Sequence, residues 1–170
     1  LSVWYARKNI IYVFPTGIVS VLIFAYLTFI NKIYAETGVN IYYFVMSVYG
    51  WILWGSKNKK IQKKISLSSK YEIIFSITIF IIFSIIIYNI LKNTDSDVII
   101  LDSLTTSLSL TAMLLLARRK IENWIFWIIA DLIYIPLFFY KGLYIASLQY
   151  FVFLILATSG YIEWKKNIKK

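Results

Sequence analysis

The chain has 170 residues, of which 60% are apolar and 15% charged, with a mean hydropathy of +0.73 and a formal net charge of +10. Soluble domains carry about 45–50% apolar and about 25% charged residues, so the composition excludes an ordinary soluble fold and points to a polytopic membrane protein. There is no Cys and no His, which excludes thiolate or imidazole catalysis, disulfides and His/Cys metal centres. No enzyme, metal site or cofactor is expected.

In chain order, hydrophobic runs predict helical spans near 10–30, 36–55, 71–91, 98–117, 123–140 and 143–163. Each is close to the ~20 residues that cross a ~30 Å hydrocarbon core. Pro15 and Pro136 interrupt the first and fifth spans, and each should loosen its helix by removing one backbone hydrogen bond. The span at 36–55 carries Asn40, Tyr43, Ser47, Gly50, Trp51 and Trp54 on one stripe. The segment SKNKKIQKKISLSSK (56–70) reads as a basic loop. Asp102, Thr106 and Ser109 share a face of 98–117, with Asp102 near one interface, and Gln149 is the only amide well inside the last span. The Ser and Thr residues read as interhelical hydrogen-bonding positions.

Charge placement predicts orientation. Arg7, Lys8, Lys57, Lys59, Lys60, Lys63, Lys64, Lys70, Arg118, Arg119, Lys120, Lys165, Lys166, Lys169 and Lys170 make fifteen of the eighteen basic residues, all in one alternating set of loops. The other set holds Lys32, Lys92 and Lys141 beside Glu36, Asp95 and Asp97. Basic loops stay cytoplasmic, so the C-terminus is expected in the cytoplasm. The basic excess is then topology and not a nucleic-acid patch.

A weak internal repeat is present. Gly50-Trp51-x-x-Trp54 matches Gly160-Tyr161-x-x-Trp164, Ile33-Tyr34 matches Leu143-Tyr144, and Ala6-Arg7-Lys8 matches Ala117-Arg118-Arg119. The offset is 110 for the first two and 111 for the third. This predicts one all-α transporter domain over 1–170: repeat one at 1–55, a linker loop and helix at 56–91, and repeat two at 98–164. An odd linker helix keeps the repeats parallel, a transporter arrangement that places substrate between the halves. A full span precedes Ala117 but only LSVWY precedes Ala6, and the chain starts with Leu. About fifteen to twenty residues of a first helix are therefore expected to be missing, and the expected whole is three plus one plus three helices.

Asp131 lies eleven positions past Lys120, about 16 Å along a helix and near mid-membrane. A carboxylate there costs about 2.5–3.5 kcal/mol on insertion scales and should face a cavity or a partner. Its stripe is Trp124, Trp127, Asp131, Tyr134 and Phe138. Two indoles and a phenol around a carboxylate suit a flat organic cation. The competing readings are an interfacial anchor for Trp124, a purely structural acceptor for Asp131, interhelical contacts for Asn40 and Gln149, and static curvature at the prolines. The candidate substrate-binding set is Trp124, Trp127, Asp131, Tyr134, Gln149, Asn40, Tyr43 and Trp51.

The stretches YYFVMSVYGWILWG (42–55), LLARRKIENWIFWIIADLIYIPLFFYKGLY (115–144) and GYIEWKK (160–166) resemble the Pnu-type vitamin transporters. Members carry nicotinamide riboside, thiamine or riboflavin. The resemblance covers nearly the whole chain and is most specific at Glu-Asn-Trp-x-x-Trp. It implies a SWEET-like three-plus-one-plus-three fold, a homotrimer in the bacterial inner membrane, and facilitated diffusion followed by phosphorylation in the cytoplasm. It also implies that Trp124 and Trp127 belong to the pocket. Asp131 stands where Asn is expected in many nicotinamide riboside carriers. Its charge suits either the pyridinium of nicotinamide riboside or the thiazolium of thiamine, both cationic vitamin precursors. The alternatives are a membrane scaffold subunit without substrate and an intramembrane enzyme using Asp102 with Asp131.

Overall fold

The computed structural model describes residues 1–56, 64–94 and 98–168. Lys57, Lys59, Lys60, Lys63, Asp95, Asp97, Lys169 and Lys170 of the charge pattern lie outside the described residues. Seven helices occur among the described residues: α1 (Ser2–Arg7), α2 (Val13–Ile30), α3 (Tyr34–Gly55), α4 (Lys70–Leu91), α5 (Ile99–Ala117), α6 (Asn123–Tyr140) and α7 (Tyr144–Ile168). The six expected spans are α2 to α7. Five of these are long and apolar enough to cross a membrane. The sixth, α3, has the length but carries Glu36, Thr37 and Asn40 in its first two turns.

Local chemistry sets several boundaries. Ser69 caps α4: its hydroxyl accepts from the Glu72 N–H at 3.3 Å, while Glu72 Oε2 accepts from the Ser69 N–H at 2.8 Å. This reciprocal pair satisfies two amides that no helix turn can reach. The expected break at Pro15 does not occur, because α2 starts at Val13 and Pro15 falls in its first turn. Amides there have no intrahelical acceptor, so proline costs nothing. Pro136 does lie inside α6, which continues through it to Tyr140. One turn is supported from outside, where the Ser147 hydroxyl donates to the Ile135 carbonyl at 2.8 Å.

Helix α5 is the buried axis of the molecule. From Ser103 to Ala117 only Leu104, Thr106 and Leu114 escape full burial, and α3, α4 and α6 all pack on it. Its hydroxyls were expected to bond between helices. Thr105, Ser107, Ser109 and Thr111 donate to carbonyls four residues back, at 2.6–3.0 Å, and Ser109 also meets Tyr43 of α3 and, with Thr105 and Thr106, Tyr134 of α6. A buried hydroxyl on a helix satisfies its donor most directly at such a carbonyl.

Backbone geometry recurs at an offset of 110. Asn9 and Arg119 both have positive φ (54° and 55°), as do Lys32 and Gly142 (60° and 74°). Around each, the helix ends with paired 6→1 and 5→2 bonds. Ile10 N–H reaches Tyr5 O and Asn9 N–H reaches Ala6 O, matched by Lys120 to Leu115 and Arg119 to Leu116. Ile33 to Thr28 and Lys32 to Phe29 match Leu143 to Phe138 and Gly142 to Phe139. These are Schellman stops, which need a left-handed residue. The offset stays at 110 through this turn as well, so Arg7, not Ala6, is the counterpart of Ala117 and the 111 alignment is off by one.

Packing repeats the pattern: α3 lies against α5, and α7 against α1. The Trp54 indole N–H donates to Ala117 O at 3.1 Å, and the Trp164 indole N–H donates to Ala6 O and Arg7 O at 3.1 and 3.2 Å. Phe14 meets Trp54 edge-on at 4.9 Å, Trp124 meets Trp164 edge-on at 5.5 Å, and Trp54 and Trp164 are 6.0 Å apart. This aromatic cluster fills the basic end of the bundle. Arg119 covers it with its guanidinium 4.1 Å from the Trp54 ring; burial lowers its pKa to about 10, which leaves it charged at neutral pH.

Two glycines make the cluster possible. A Cβ on Gly50 would sit 2.3 Å from Phe14 and 3.2 Å from the Ala117 backbone, and one on Gly160 would sit 2.7 Å from Trp124. Gly50→Ala and Gly160→Ala should each destabilise the fold by about 1–3 kcal/mol through overpacking, despite the gain in helix propensity. Thermal unfolding in detergent checks this; an unchanged or higher melting temperature would show the rings to be free to move. By contrast, Glu163 pairs with Arg7 at 2.9 Å and Lys8 at 3.1 Å with all three side chains about a third exposed. Glu163→Gln should cost less than about 1 kcal/mol.

The linker is fastened at the same end. Ser66 and Lys120 form an isolated parallel bridge. The Glu122 carboxylate accepts from the Ser68 N–H and hydroxyl, both at 2.8 Å, and Lys120 pairs with Glu72 at 2.9 Å.

Candidate functional site

A cavity of ≈ 310 Å³ lies within the bundle, at the lower edge of the range for small-molecule sites. Every helix except α4 lines it. Helix α6 supplies Trp124, Trp127, Asp131 and Tyr134 from one face, and α3 supplies Tyr43 and Ser47. Tyr150, Phe153 and Ala157 come from α7, and Ser109, Met113 and Leu116 from α5. Opposite them α2 offers only Val13, Gly17 and Val21. Gly17 and Val21 are the counterparts, 110 residues back, of Trp127 and Asp131. Helix α6 therefore brings the chemistry and α2 the room: a Cβ on Gly17 would meet nothing nearer than the Ser47 hydroxyl at 3.8 Å.

Asp131 is 2% exposed, and no cation or hydrogen-bond donor among the described residues reaches its carboxylate. The reading of Asp131 as an interhelical acceptor has no donor to support it. A carboxylate held this way is unfavourable until a positive group arrives. Around it the walls are aromatic. Tyr134 stacks on Tyr150 at 4.4 Å and 27°, and Phe138 stacks on Tyr150 at 5.1 Å and 5°. The Ser109 hydroxyl is a hydrogen-bonding neighbour of both Tyr43 and Tyr134, and Thr105 and Thr106 also serve Tyr134.

Five of the eight expected residues thus meet at one cavity: Trp124, Trp127, Asp131, Tyr134 and Tyr43. Trp124 is 1% exposed, so it is a buried wall residue and not an interfacial anchor. The other three do not reach the cavity. Asn40 is turned back on its own helix, its amide donating to the Glu36 carbonyl at 2.8 Å. Trp51 is 45% exposed on the outside of α3, and Trp54, three positions on, holds the interior place. Gln149 is exposed and its neighbour Tyr150 faces inward, a rotation of about 100° per residue that one position decides. Asp102 is paired with Lys141 at 2.9 Å, seven residues from the nearest cavity residue on α5, so it forms no carboxylate pair with Asp131.

Tyr150, Phe153, Gly17 and Val21 were missed. The α7 pair was readable: Tyr150, Phe153, Ala157, Gly160 and Trp164 follow the same three-four spacing as Asn40, Tyr43, Ser47, Gly50 and Trp54. Gly17 and Val21 carry no chemical signal of their own.

The Glu-Asn-Trp block divides its labour. Glu122 holds the linker, Asn123 donates to Lys120 O at 2.6 Å, and Trp124 lines the cavity. Residues 1–166 match the family described as nicotinamide mononucleotide transporter. The chain belongs to that family. It is a multi-pass membrane protein of a transporter family and not an enzyme. The nicotinamide riboside transporter PnuC of Escherichia coli K12 is 22% identical over 181 residues, covering 91% of this chain and 76% of that protein. Its namesake from Neisseria mucosa is 24% identical over 183 residues, covering 100% and 70%. A crystal structure of the vitamin B3 transporter PnuC shares the family fold with a TM-score of 0.75 at 24% identity, covering 99% of this chain and 77% of that one.

Proposed function

We propose that this chain is a uniporter that carries nicotinamide riboside across a bacterial inner membrane by facilitated diffusion, with its cargo held at Asp131 between aromatic walls. The observation that carries this reading is a buried carboxylate with no partner among the described residues, in a cavity of ≈ 310 Å³ lined by Trp124, Trp127, Tyr43, Tyr134 and Tyr150. A fixed pyridinium charge supplies what Asp131 lacks, and rings stacked on its faces add cation–π attraction. The relatives named for nicotinamide riboside transport support this cargo over thiamine.

The recurrence at offset 110 supports two parallel three-helix halves, 1–55 and 98–164, joined by the linker at 56–91. The cavity between halves is where such transporters hold substrate. The basic end, with Arg7, Lys8, Arg118 and Lys165, faces the cytoplasm together with the C-terminus. A homotrimer fits the exposed Gln149 on α7, since an amide facing lipid gains from a protein neighbour.

Purified protein in liposomes tests the function. Labelled nicotinamide riboside should enter until inside and outside concentrations are equal, and excess thiamine should compete weakly. Absence of uptake, or accumulation above the outside level without any imposed gradient, would overturn the proposal. Side-chain direction on α7 gives a sharper internal test. Tyr150→Ala should weaken cargo binding about tenfold, in line with losing about 1.5 kcal/mol of ring contact, while Gln149→Leu leaves binding unchanged.

A further inference from the structure

Three charged side chains stand above the cavity at the end opposite the aromatic cluster. Glu36 lies seven residues outward of Tyr43 on α3, Asp102 seven outward of Ser109 on α5, and Lys141 seven outward of Tyr134 on α6. Seven residues are about 10.5 Å of rise and within about 20° of two full turns. Each charge therefore sits over its own wall residue, on the face that lines the cavity. Lys141 Nζ donates to both oxygens of Asp102 at 2.9 Å, joining the C-terminus of α6 to the first turn of α5. The two side chains are 30% and 21% exposed, so the pair is partly open to solvent. Glu36 lies in the field of Asp102 and Lys141, and in that of Tyr134 and Tyr150 below. It makes no ion pair with Lys141 among the described residues.

We propose that the Asp102–Lys141 ion pair is the outer gate of the cavity, and that Glu36 is the carboxylate that receives Lys141 when the gate opens. This rests on the orientation proposed above, which puts this end outside. Pro136 lies between Asp131 and Lys141 on α6, so the segment carrying Lys141 lacks one backbone bond to the segment carrying the site. An opening there moves Lys141 without moving Asp131. Two carboxylates sharing one ammonium give Lys141 two resting places on neighbouring helices.

The chain has no Cys, so Ser109→Cys places a single thiol directly under the gate, and Ser47→Cys places one deeper on α3. The experiment is the rate at which membrane-impermeant methanethiosulfonates label this thiol from outside. In the full chain, Lys141→Gln should speed labelling about fivefold, equivalent to about 1 kcal/mol for a half-buried pair. Glu36→Gln should slow it, and the swap Asp102→Lys with Lys141→Asp should bring it back toward the slow rate. Cationic and anionic reagents must shift in the same direction. Opposite shifts for the two reagents would show a local field and no gate, and equal rates in all variants would show an always-open mouth; either result overturns the proposal. Labelling needs no cargo. A gate that responds while nicotinamide riboside fails to bind would remove the cargo alone, and cargo binding with unresponsive labelling would remove the gate alone.

Discussion

Asp131→Asn should weaken binding of nicotinamide riboside by about 10- to 100-fold, the loss expected when a charge-assisted contact of about 1.5–3 kcal/mol becomes a neutral one. The protein without cargo should keep its melting temperature or gain slightly, because Asp131 has no cation or donor among the described residues and removing an unpaired buried charge removes a cost. Calorimetric titration with two ligands separates charge from shape. The reduced riboside, in which the ring is a neutral dihydropyridine, should bind wild type and Asp131→Asn about equally. Equal losses for the charged and neutral ligands would mean that Asp131 shapes the cavity and does not balance the cargo's charge.

The second large effect is expected at Gly17, which carries no functional group at all. Its Cβ position is open toward the cavity, across from the Trp127 and Asp131 side of the wall. Gly17→Leu should fill the space that a flat ring would occupy and reduce binding to below detection. The fold should become more stable, since replacing a helix-interior glycine gains about 0.8–1 kcal/mol and buries apolar surface that no atom now touches. Opposite signs in the two readouts make the test strict. Melting temperature and ligand titration on the same preparation check it. Retained binding would put the cargo elsewhere in the bundle, and a fall in stability would show that the space at Gly17 is too small for a leucine side chain.

Much of this architecture was legible in the sequence because membrane helices announce themselves by length. A run such as 71–91 has few structures open to it in hydrocarbon, since every backbone group must be satisfied within the segment. The recurrence of motifs at an offset of 110 was legible for a different reason. Gly50 and Gly160 are required by the rings of Phe14 and Trp124, and Trp54 and Trp164 by carbonyls at matched helix ends. Contacts that specific leave a trace even where the surrounding residues differ.

Side-chain direction was legible only where an aromatic stripe was unbroken. The α6 face Trp124, Trp127, Asp131 and Tyr134 proved to be the cavity wall. On α3 the stripe was drawn too wide: Trp51 is next to Gly50 and one turn before Trp54, yet it faces out at 45% exposure. On α7, polarity misled. Gln149 drew attention as an amide in an apolar run, while Tyr150 beside it holds the stacked rings together. An amide on the outer face of a membrane helix can still gain from a protein neighbour, so polarity alone does not mark an inward face. Gly17 and Val21 were out of reach for a simpler reason. Their contribution is an empty volume, and volume appears only when two helices are placed face to face.

The most direct test of a cargo cavity built on Asp131 is ligand-induced thermal stabilisation of the purified protein, with nicotinamide riboside, thiamine and riboflavin measured side by side. At about 100 times Kd, binding to the folded state alone adds about 2.7 kcal/mol, which for a chain of this size is a rise of about 5–10 °C. The account predicts that rise for nicotinamide riboside, a smaller one for thiamine, none for riboflavin, and loss of the first in Asp131→Asn. A protein that melts cooperatively at the same temperature with all three ligands would contradict it.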